Sequence, residues 1–340
     1  MKDSSIINHV KTDEEHMYTS TGIKFWRHKE AMMSYRENKG YTVISTHISP
    51  EGLCNLKCPY CSVTKRDVHN RISLDVIKDY VCKLKSRGLR AAIITGGGEP
   101  TLYPDFNELV KWLKCDQELS VALITNGTNT NRVDKEIWDM FSWVRVSLNF
   151  VDNYRERIHF PNIQGVLGAS MVYIGQTLDE MRDLSAFVPE NVRYIRVLPN
   201  CLYDQEQLIE EHEKIRQLLD ELDDKRFFQQ YKLHGKPCSH VCHQAYFRPY
   251  LSEVEGGTVF PCDSLVLNEK LMHFGAQYAI CKPQDILDFL DRKINLRFDA
   301  KKMCDGCVFS ENIRLLDDWY THGINKFDDY RESMIHEEFV

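Results

Sequence analysis

The sequence predicts an α/β protein built on a mainly parallel sheet. Between about residues 41 and 200, short β-branched runs alternate with amphipathic segments, which is typical of repeated βα units. Glycines and polar residues follow several of these runs, so functional groups are expected at the carboxyl ends of consecutive strands. A curved sheet that gathers those ends around one axis suits this layout better than a doubly wound sheet.

Six strands are predicted, at residues 42–49, 91–95, 120–125, 144–149, 167–174 and 192–198. The segment between the first two is apolar at helical spacing. Ser73 is a suitable N-cap for it and Gly88 a suitable stop, which predicts a helix. A longer, charged helix with one apolar stripe is predicted over residues 205–223.

Changes in composition divide the chain into four expected units. After residue 235, cysteines, short strand-like pieces and turn residues replace the βα rhythm, which predicts a domain boundary. The expected units are a charged N-terminal arm (1–40), a partial barrel (41–235), a small cysteine-rich α+β domain (236–316) and a tail (317–340). The arm is expected to be too short for an added peptide-binding domain, and the tail is expected to pack against the cysteine-rich domain.

Composition narrows the classes of function. The 340 residues carry a formal net charge of −7, which argues against general nucleic-acid binding and favours a small-molecule partner. No stretch approaches the roughly 20 apolar residues of a membrane span, and no signal peptide is evident. Twelve cysteines without a secretion signal indicate metal chemistry in a reducing compartment, so a cytoplasmic location is expected.

The most specific motif is a set of three cysteines in one short loop. Cys54, Cys58 and Cys61 supply one thiolate fewer than the four ligands of a closed iron–sulfur cluster, which predicts a cluster with an open iron. Zinc is the weaker interpretation, because the nearest further ligands, His69 and Cys82, lie beyond charged, loop-like sequence.

Polar and glycine residues follow the other predicted strands. Gly97-Gly98-Glu99 ends the second strand, where glycine permits close approach of a ligand and Glu99 can accept bonds from an ammonium group. Thr125 and Asn126 end the third strand and Ser147 lies near the end of the fourth, suited to bonds with hydroxyl or carboxylate groups. On the sixth, Arg196 either faces the interior and contacts substrate or forms an ion pair on the outer face.

A second cysteine set lies near the end of the chain. Four thiols with a terminal Cys-x2-Cys pair suit either zinc or a closed iron–sulfur cluster, and Cys238 or Cys281 are possible replacements. These four are Cys242, Cys262, Cys304 and Cys307. The remaining cysteines, Cys82, Cys115 and Cys201, are expected to be small buried hydrophobic residues.

Together, the Cys-x3-Cys-x2-Cys loop and the Gly-Gly-Glu-Pro segment resemble the signature of the radical S-adenosylmethionine (radical SAM) superfamily. The resemblance implies a partial (βα)6 TIM-like barrel and a [4Fe–4S] cluster whose open iron is chelated by S-adenosylmethionine. It further implies that Tyr60 lies near the adenine, that Gly97, Gly98 and Glu99 hold the amino group, and that Thr125, Asn126 and Ser147 contact the cofactor. Many relatives have Asp where this chain has Asn149.

The second set resembles the twitch domain, the shortened SPASM extension, which implies one auxiliary [4Fe–4S] cluster. A closed auxiliary cluster suits electron transfer, so a dehydrogenase-like oxidoreductase is favoured. The expected reaction cleaves S-adenosylmethionine to a 5′-deoxyadenosyl radical, which abstracts hydrogen from a small polar metabolite of the sugar, cyclitol or nucleoside type, in an oxidation or rearrangement. A flavodoxin or ferredoxin is the expected reductant. The alternatives are a peptide maturase that forms crosslinks or thioethers, and a non-catalytic zinc or iron–sulfur binding module.

Overall fold

A computed structural model describes residues 11–63, 66–148, 154–264 and 276–340. Nine strands in this part of the chain form one sheet, in the order β7-β6-β5-β4-β3-β2-β1-β8-β9. They are β1 Ser45–Ile48, β2 Ala91–Ile94, β3 Ser120–Thr125, β4 Phe141–Ser147, β5 Val166–Tyr173, β6 Tyr194–Pro199, β7 Phe227–Gln229, β8 Tyr250–Ser252 and β9 Thr258–Phe260. Strands β1 to β7 pair in parallel in sequence order, β8 pairs in parallel with β1, and only β8 and β9 are antiparallel.

Helices connect and flank the strands. They are α1 Asp13–Tyr18, α2 Lys29–Arg36, α3 Leu74–Lys85, α4 Phe106–Lys111, α5 Tyr154–Arg157, α6 Leu178–Phe187, α7 Gln205–Glu221, α8 Ile286–Leu290, α9 Ala300–Met303 and α10 Ser310–His322. In the described ranges, none of them is both long and apolar enough to cross a membrane.

The helix after β1 shows how local sequence sets these elements. The Ser73 hydroxyl accepts a bond from the backbone N–H of Val76, which caps α3, and Gly88 adopts a positive φ of 103° shortly after the helix ends. Ile77 and Tyr80 on its apolar face are fully buried against the sheet. Cys82 is on the opposite face and is exposed, as is Cys115, so the expectation that these two are buried is wrong.

All six predicted strands are present, most with bounds shifted by one to three residues. An α/β architecture with a mostly parallel sheet is therefore confirmed, while the partial barrel and the separate cysteine-rich domain stay predictions. Strands β8 and β9, from the segment after residue 235, extend the same sheet rather than forming one of their own. The sequential parallel order brings the carboxyl ends of β1 to β6 to one edge of the sheet.

The two terminal segments pack against each other and against one face of the sheet. The Lys24 ammonium donates to the carbonyl oxygen of His336 at 3.1 Å, and the Trp143 and Phe339 rings meet edge to face, with centroids 5.5 Å apart. The tail also contacts the cysteine-rich segment, as expected, since Asp317 lies 3.6 Å from His243 and Arg248 donates to Val340 O at 3.2 Å. An aromatic side chain of the tail is in addition buried against an apolar patch formed by β2, β3 and β4.

Candidate active site

The cysteine loop begins just after β1 and brings three thiols together. Cys54, Cys58 and Cys61 are each partly exposed, and the Cys61 N–H donates to the Cys58 carbonyl at 3.1 Å. Burial, and then the neighbouring Cys61 and Cys54, raise the pKa of Cys58 to about 11. Crowded thiols resist losing their protons, and a bound metal removes that penalty because it stabilises thiolates. The donor set therefore fits an iron–sulfur cluster.

Backbone hydrogen bonds join this loop to the glycine-rich segment after β2. The N–H of Gly98 donates to Glu51 O at 3.0 Å, and the N–H of Glu99 donates to Leu53 O at 2.8 Å. A Cβ added at Gly98 would lie 2.2 Å from Leu53 O, so only glycine fits at this contact. The predicted segment Gly97-Gly98-Glu99, here called the glycine clasp, therefore lies directly against the cysteine loop.

The Glu99 carboxylate holds the ends of β2 and β3 together. It is buried and accepts four hydrogen bonds, from the Thr101 N–H and hydroxyl, the Thr125 hydroxyl at 2.6 Å and the Asn126 N–H at 2.7 Å. Asn126 in turn donates through its side chain to Asn55 at 2.9 Å, and its Nδ2 lies 3.8 Å from the Cys54 sulfur. Burial raises the pKa of Glu99, and the four donors oppose that shift.

A second buried carboxylate at this clasp was not foreseen. Glu253 follows β8, and its Oε1 lies 2.4 Å from the position of a Cβ added at Gly97. Ser252 donates to its Oε2 at 3.1 Å, and burial raises the pKa of Glu253. No motif marks this residue, because its place depends on the pairing of β8 with β1, a contact between distant parts of the chain.

The other predicted residues lie around this centre. Tyr60 is buried. Ser147, half-buried at the end of β4, is paired with Ser170 of β5 and stands outside the hydrogen bonds of Glu99. Asn149 falls outside the described residues.

Arg196 faces the interior, as one of the two expectations had it, and lines a cavity on the inner side of the sheet. His47 of β1 and Arg145 of β4 line the same cavity and were missed in the sequence. Arg145 interrupts the apolar stretch of β4 between Val144 and Val146, and such a charged position in a buried parallel strand is a usable signal. His47 follows the polar residues Ser45 and Thr46 of β1, so it carries no such signal. Burial, and then Arg248, lower the pKa of His47 to about 3, so its imidazole is neutral near pH 7.

Cys201 lies two residues after β6 and close to the cysteine loop. Burial raises the pKa of this thiol, the nearby Lys232 of the cavity wall lowers it, and Cys61 raises it. Cys201 also hydrogen bonds with Ser62, which directly follows Cys61. It is therefore half-buried beside the cysteine loop and in contact with a residue of that loop. Ile124, which lines the cavity, lies two residues before Asn126, whose Nδ2 is 3.8 Å from the Cys54 sulfur, so the cavity lies next to the strand end that contacts the cysteine loop.

The C-terminal cysteines are more enclosed than the loop cysteines. Cys242, Cys262 and Cys307 are buried, and Cys304 is partly buried. Burial, and then Cys242 and Cys307, raise the pKa of Cys304, so these three thiols lie near one another. Cys262 lies two residues after β9, and the next residue, Asp263, lines the interior cavity.

The two possible replacement ligands lie in different surroundings. Cys238 is exposed, with its sulfur 3.9 Å from an Asp317 oxygen. Cys281 pairs with Val259 of β9 and lies near Asp285. Within the described ranges, no three His, Cys, Asp or Glu side chains converge on a single-ion site. Ligands of a [4Fe–4S] cluster need no such convergence, since each thiolate binds a different iron.

A known protein family matches the segment that contains the cysteine loop and the glycine clasp. Residues 48–169 match the radical SAM superfamily. The matched radical SAM segment runs from the end of β1 into β5 and includes the cysteine loop, the glycine clasp, Thr125, Asn126 and Ser147. The cofactors of this superfamily are a [4Fe–4S] cluster and S-adenosylmethionine.

Curated relatives match mainly within this region. An S-adenosylmethionine-dependent nucleotide dehydratase of Selenomonas ruminantium is 32% identical over 112 residues, which is 32% of this chain and 39% of the relative. A probable GTP 3′,8-cyclase of Methanococcus maripaludis is 32% identical over 132 residues, 37% of this chain and 44% of the relative. The chain therefore spans about two fifths of these relatives. Among solved structures, SuiB of Streptococcus suis bound to precursor peptide SuiA aligns with TM-score 0.49, 15% identity, 78% coverage of this chain and 68% of that chain.

Proposed function

We propose that this protein is a radical SAM enzyme that acts on a small polar metabolite in the cavity beside the cysteine loop. The observation that carries the proposal is that β3 reaches both places: Asn126, just past its end, lies 3.8 Å from the Cys54 sulfur, and Ile124 lines the charged interior cavity. Both curated relatives are named for nucleotide chemistry, which favours a nucleoside-type substrate over a sugar or cyclitol.

When bound by Cys54, Cys58 and Cys61, a reduced [4Fe–4S] cluster supplies the electron that cleaves S-adenosylmethionine to methionine and a 5′-deoxyadenosyl radical, which abstracts hydrogen from substrate. The chain's own residues position and shield this chemistry. Glu99 fixes the ends of β2 and β3, Asn126 stays near Cys54, and the buried wall of the cavity keeps water from a reactive radical.

A closed auxiliary cluster on Cys242, Cys262, Cys304 and Cys307 is the second part of the proposal. Support comes from the enclosure of these cysteines and from Asp263 and Phe309, which line the cavity and lie one residue after Cys262 and two residues after Cys307. That position suits a group that accepts an electron from a substrate radical, so that loss of the electron and a proton leaves an oxidised product. A dehydrogenase-like reaction is accordingly the favoured type.

Anaerobic turnover tests the proposal. The reconstituted protein is incubated with S-adenosylmethionine, dithionite and separate pools of nucleosides, nucleotides, sugars, cyclitols and short peptides, and products are measured by mass spectrometry. We expect 5′-deoxyadenosine in every pool, and a product lacking two hydrogens in the nucleoside or nucleotide pools. Crosslinked peptides as the only products would replace the metabolite with a peptide substrate, and zinc-loaded protein without 5′-deoxyadenosine would end the enzyme proposal.

A further inference from the structure

The interior cavity carries far more positive than negative charge. Five cationic residues line it, with Asp263 as the carboxylate among the described lining residues. The cations are Lys24, Arg145, Arg196, Lys232 and Arg248. This imbalance is unusual for a chain whose formal net charge is −7.

Two of these cations donate to main-chain oxygens of the C-terminal tail. The Arg248 guanidinium lies 3.7 Å from Asp263, stacks 4.5 Å from the Phe309 ring centroid and donates to Val340 O at 3.2 Å. Lys24 donates to main-chain carbonyls, including His336 O at 3.1 Å. These contacts place both residues in the scaffold of the cavity.

The other three have no carboxylate within 4.0 Å in the described part of the chain. Arg145 is 7% exposed, and its Nε makes no hydrogen bond. Arg196 donates from Nη1 to Gln230 at 2.8 Å, while its Nε also lacks an acceptor. The Lys232 ammonium lies 5.2 Å from the Phe309 ring centroid. These three side chains converge from β4, β6 and the segment after β7.

The positive charges of these side chains lower the pKa values of their neighbours. Burial, and then the nearby Arg145, lower the pKa of Arg196. Burial, and then Arg196, lower the pKa of Lys232 to about 8. Like charges held together away from water are costly unless an anion offsets them. Asp263 supplies one negative charge to this cavity, so the cluster keeps an excess of positive charge that an anionic ligand from outside the chain would offset.

We infer that Arg145, Arg196 and Lys232 bind a phosphate group of the substrate, which is a phosphorylated small metabolite. The inference rests on the proposed function. Two guanidinium forks and one ammonium match the several oxygens of a phosphate better than the two oxygens of one carboxylate.

The position of the cluster also suits the chemistry. Arg145 and Ser147 are two residues apart and therefore lie on the same face of β4. Two residues of a strand span about 7 Å, so the cluster lies about 7 Å from the carboxyl ends of the strands in the radical SAM segment. A phosphate anchored in that layer directs the rest of the metabolite toward the cysteine loop.

Binding to the reconstituted protein in the presence of S-adenosylmethionine, without reductant, tests this inference. The probes are guanosine 5′-monophosphate, ribose 5-phosphate and pyrophosphate, compared with guanosine, ribose and succinate by calorimetry. We expect at least one phosphorylated compound to bind at least tenfold more tightly than its unphosphorylated partner. Arg145→Gln and Arg196→Gln should each lose at least tenfold of that affinity, whereas Arg145→Lys, which keeps the charge, should lose less.

Arg193→Gln is the matched control, since Arg193 is exposed just before β6. Binding of pyrophosphate without binding of either phosphorylated metabolite supports a phosphate site and excludes guanosine 5′-monophosphate and ribose 5-phosphate as its ligands. Equal binding of phosphorylated and unphosphorylated partners, equal binding of succinate, or no binding of any phosphorylated probe at millimolar concentration would overturn the inference. An equal loss in R193Q would do the same. Cleavage of S-adenosylmethionine under dithionite is measured separately, so either this inference or the proposed function can fail alone.

Discussion

The two cysteine sets of this protein differ in their access to solvent and in their connections. Cys54, Cys58 and Cys61 lie in a partly exposed loop hydrogen-bonded to the glycine clasp, whereas Cys242 and Cys307 are buried near Cys304. A cluster that binds a cofactor needs an approachable position, and one that only transfers electrons works best when enclosed. We therefore propose an open cluster site for the first set and a closed cluster site for the second.

Loss of one loop cysteine should have the largest effect. Cys58→Ala removes a ligand from the three-thiolate site, and we expect 5′-deoxyadenosine formation to fall at least 1,000-fold, with loss of about four iron atoms per chain. Iron analysis and chromatography after anaerobic reconstitution measure both. Cys82→Ala, on the exposed face of α3, should match the wild type. Wild-type cleavage in C58A would refute the open-site assignment.

Loss of a C-terminal cysteine should separate two activities. Cys304→Ala should also remove about four iron atoms, but should leave reductive cleavage of S-adenosylmethionine in place while substrate oxidation falls at least 100-fold. Cys238→Ala should keep full iron content because Cys238 is exposed beside Asp317. A loss of iron in C238A, with none in C304A, would show that Cys238 and not Cys304 is the cluster ligand.

Glu99→Gln should have an intermediate effect. The amide replaces an acceptor with a donor opposite the Thr125 hydroxyl or the Asn126 N–H, and an unmade buried hydrogen bond costs about 1–3 kcal/mol. We expect affinity for S-adenosylmethionine to fall roughly 5- to 150-fold in equilibrium dialysis. Glu108→Gln, an exposed carboxylate on α4 paired with Lys78, provides the comparison. Equal affinities in the two variants would show that Glu99 does not organise the site.

The smallest expected effect is a change in anion binding with pH. Lys232, with a pKa of about 8, is mostly protonated at pH 7 and mostly neutral at pH 9, so sulfate, whose charge is constant over this range, should bind more weakly as pH rises. The other charged groups that act on Lys232 are Arg196, Asp263, Arg248 and Lys11. Calorimetry should show a decrease of less than tenfold, absent in Lys232→Gln. An unchanged affinity in the wild type would remove Lys232 from the anion site.

The strands and the cysteine motifs were predictable because they depend on local pattern. Alternating apolar runs gave the six parallel strands, and spacing alone marked Cys54, Cys58 and Cys61. Glu253 and Lys232 were not predictable, because their places depend on contacts that join distant segments. The burial of Phe339 against Trp143 is of the same kind, since nothing near residue 339 in the sequence indicates its partner.

Electron paramagnetic resonance of two double variants tests the central contrast most directly. Cys304→Ala with Cys307→Ala leaves only the loop set, and Cys54→Ala with Cys58→Ala leaves only the C-terminal set. After reduction, adding S-adenosylmethionine should shift the g values of the first variant, because the cofactor binds its open iron, and should leave the second unchanged. No shift in the first variant, or a shift in the second, would contradict the assignment of one open and one closed cluster.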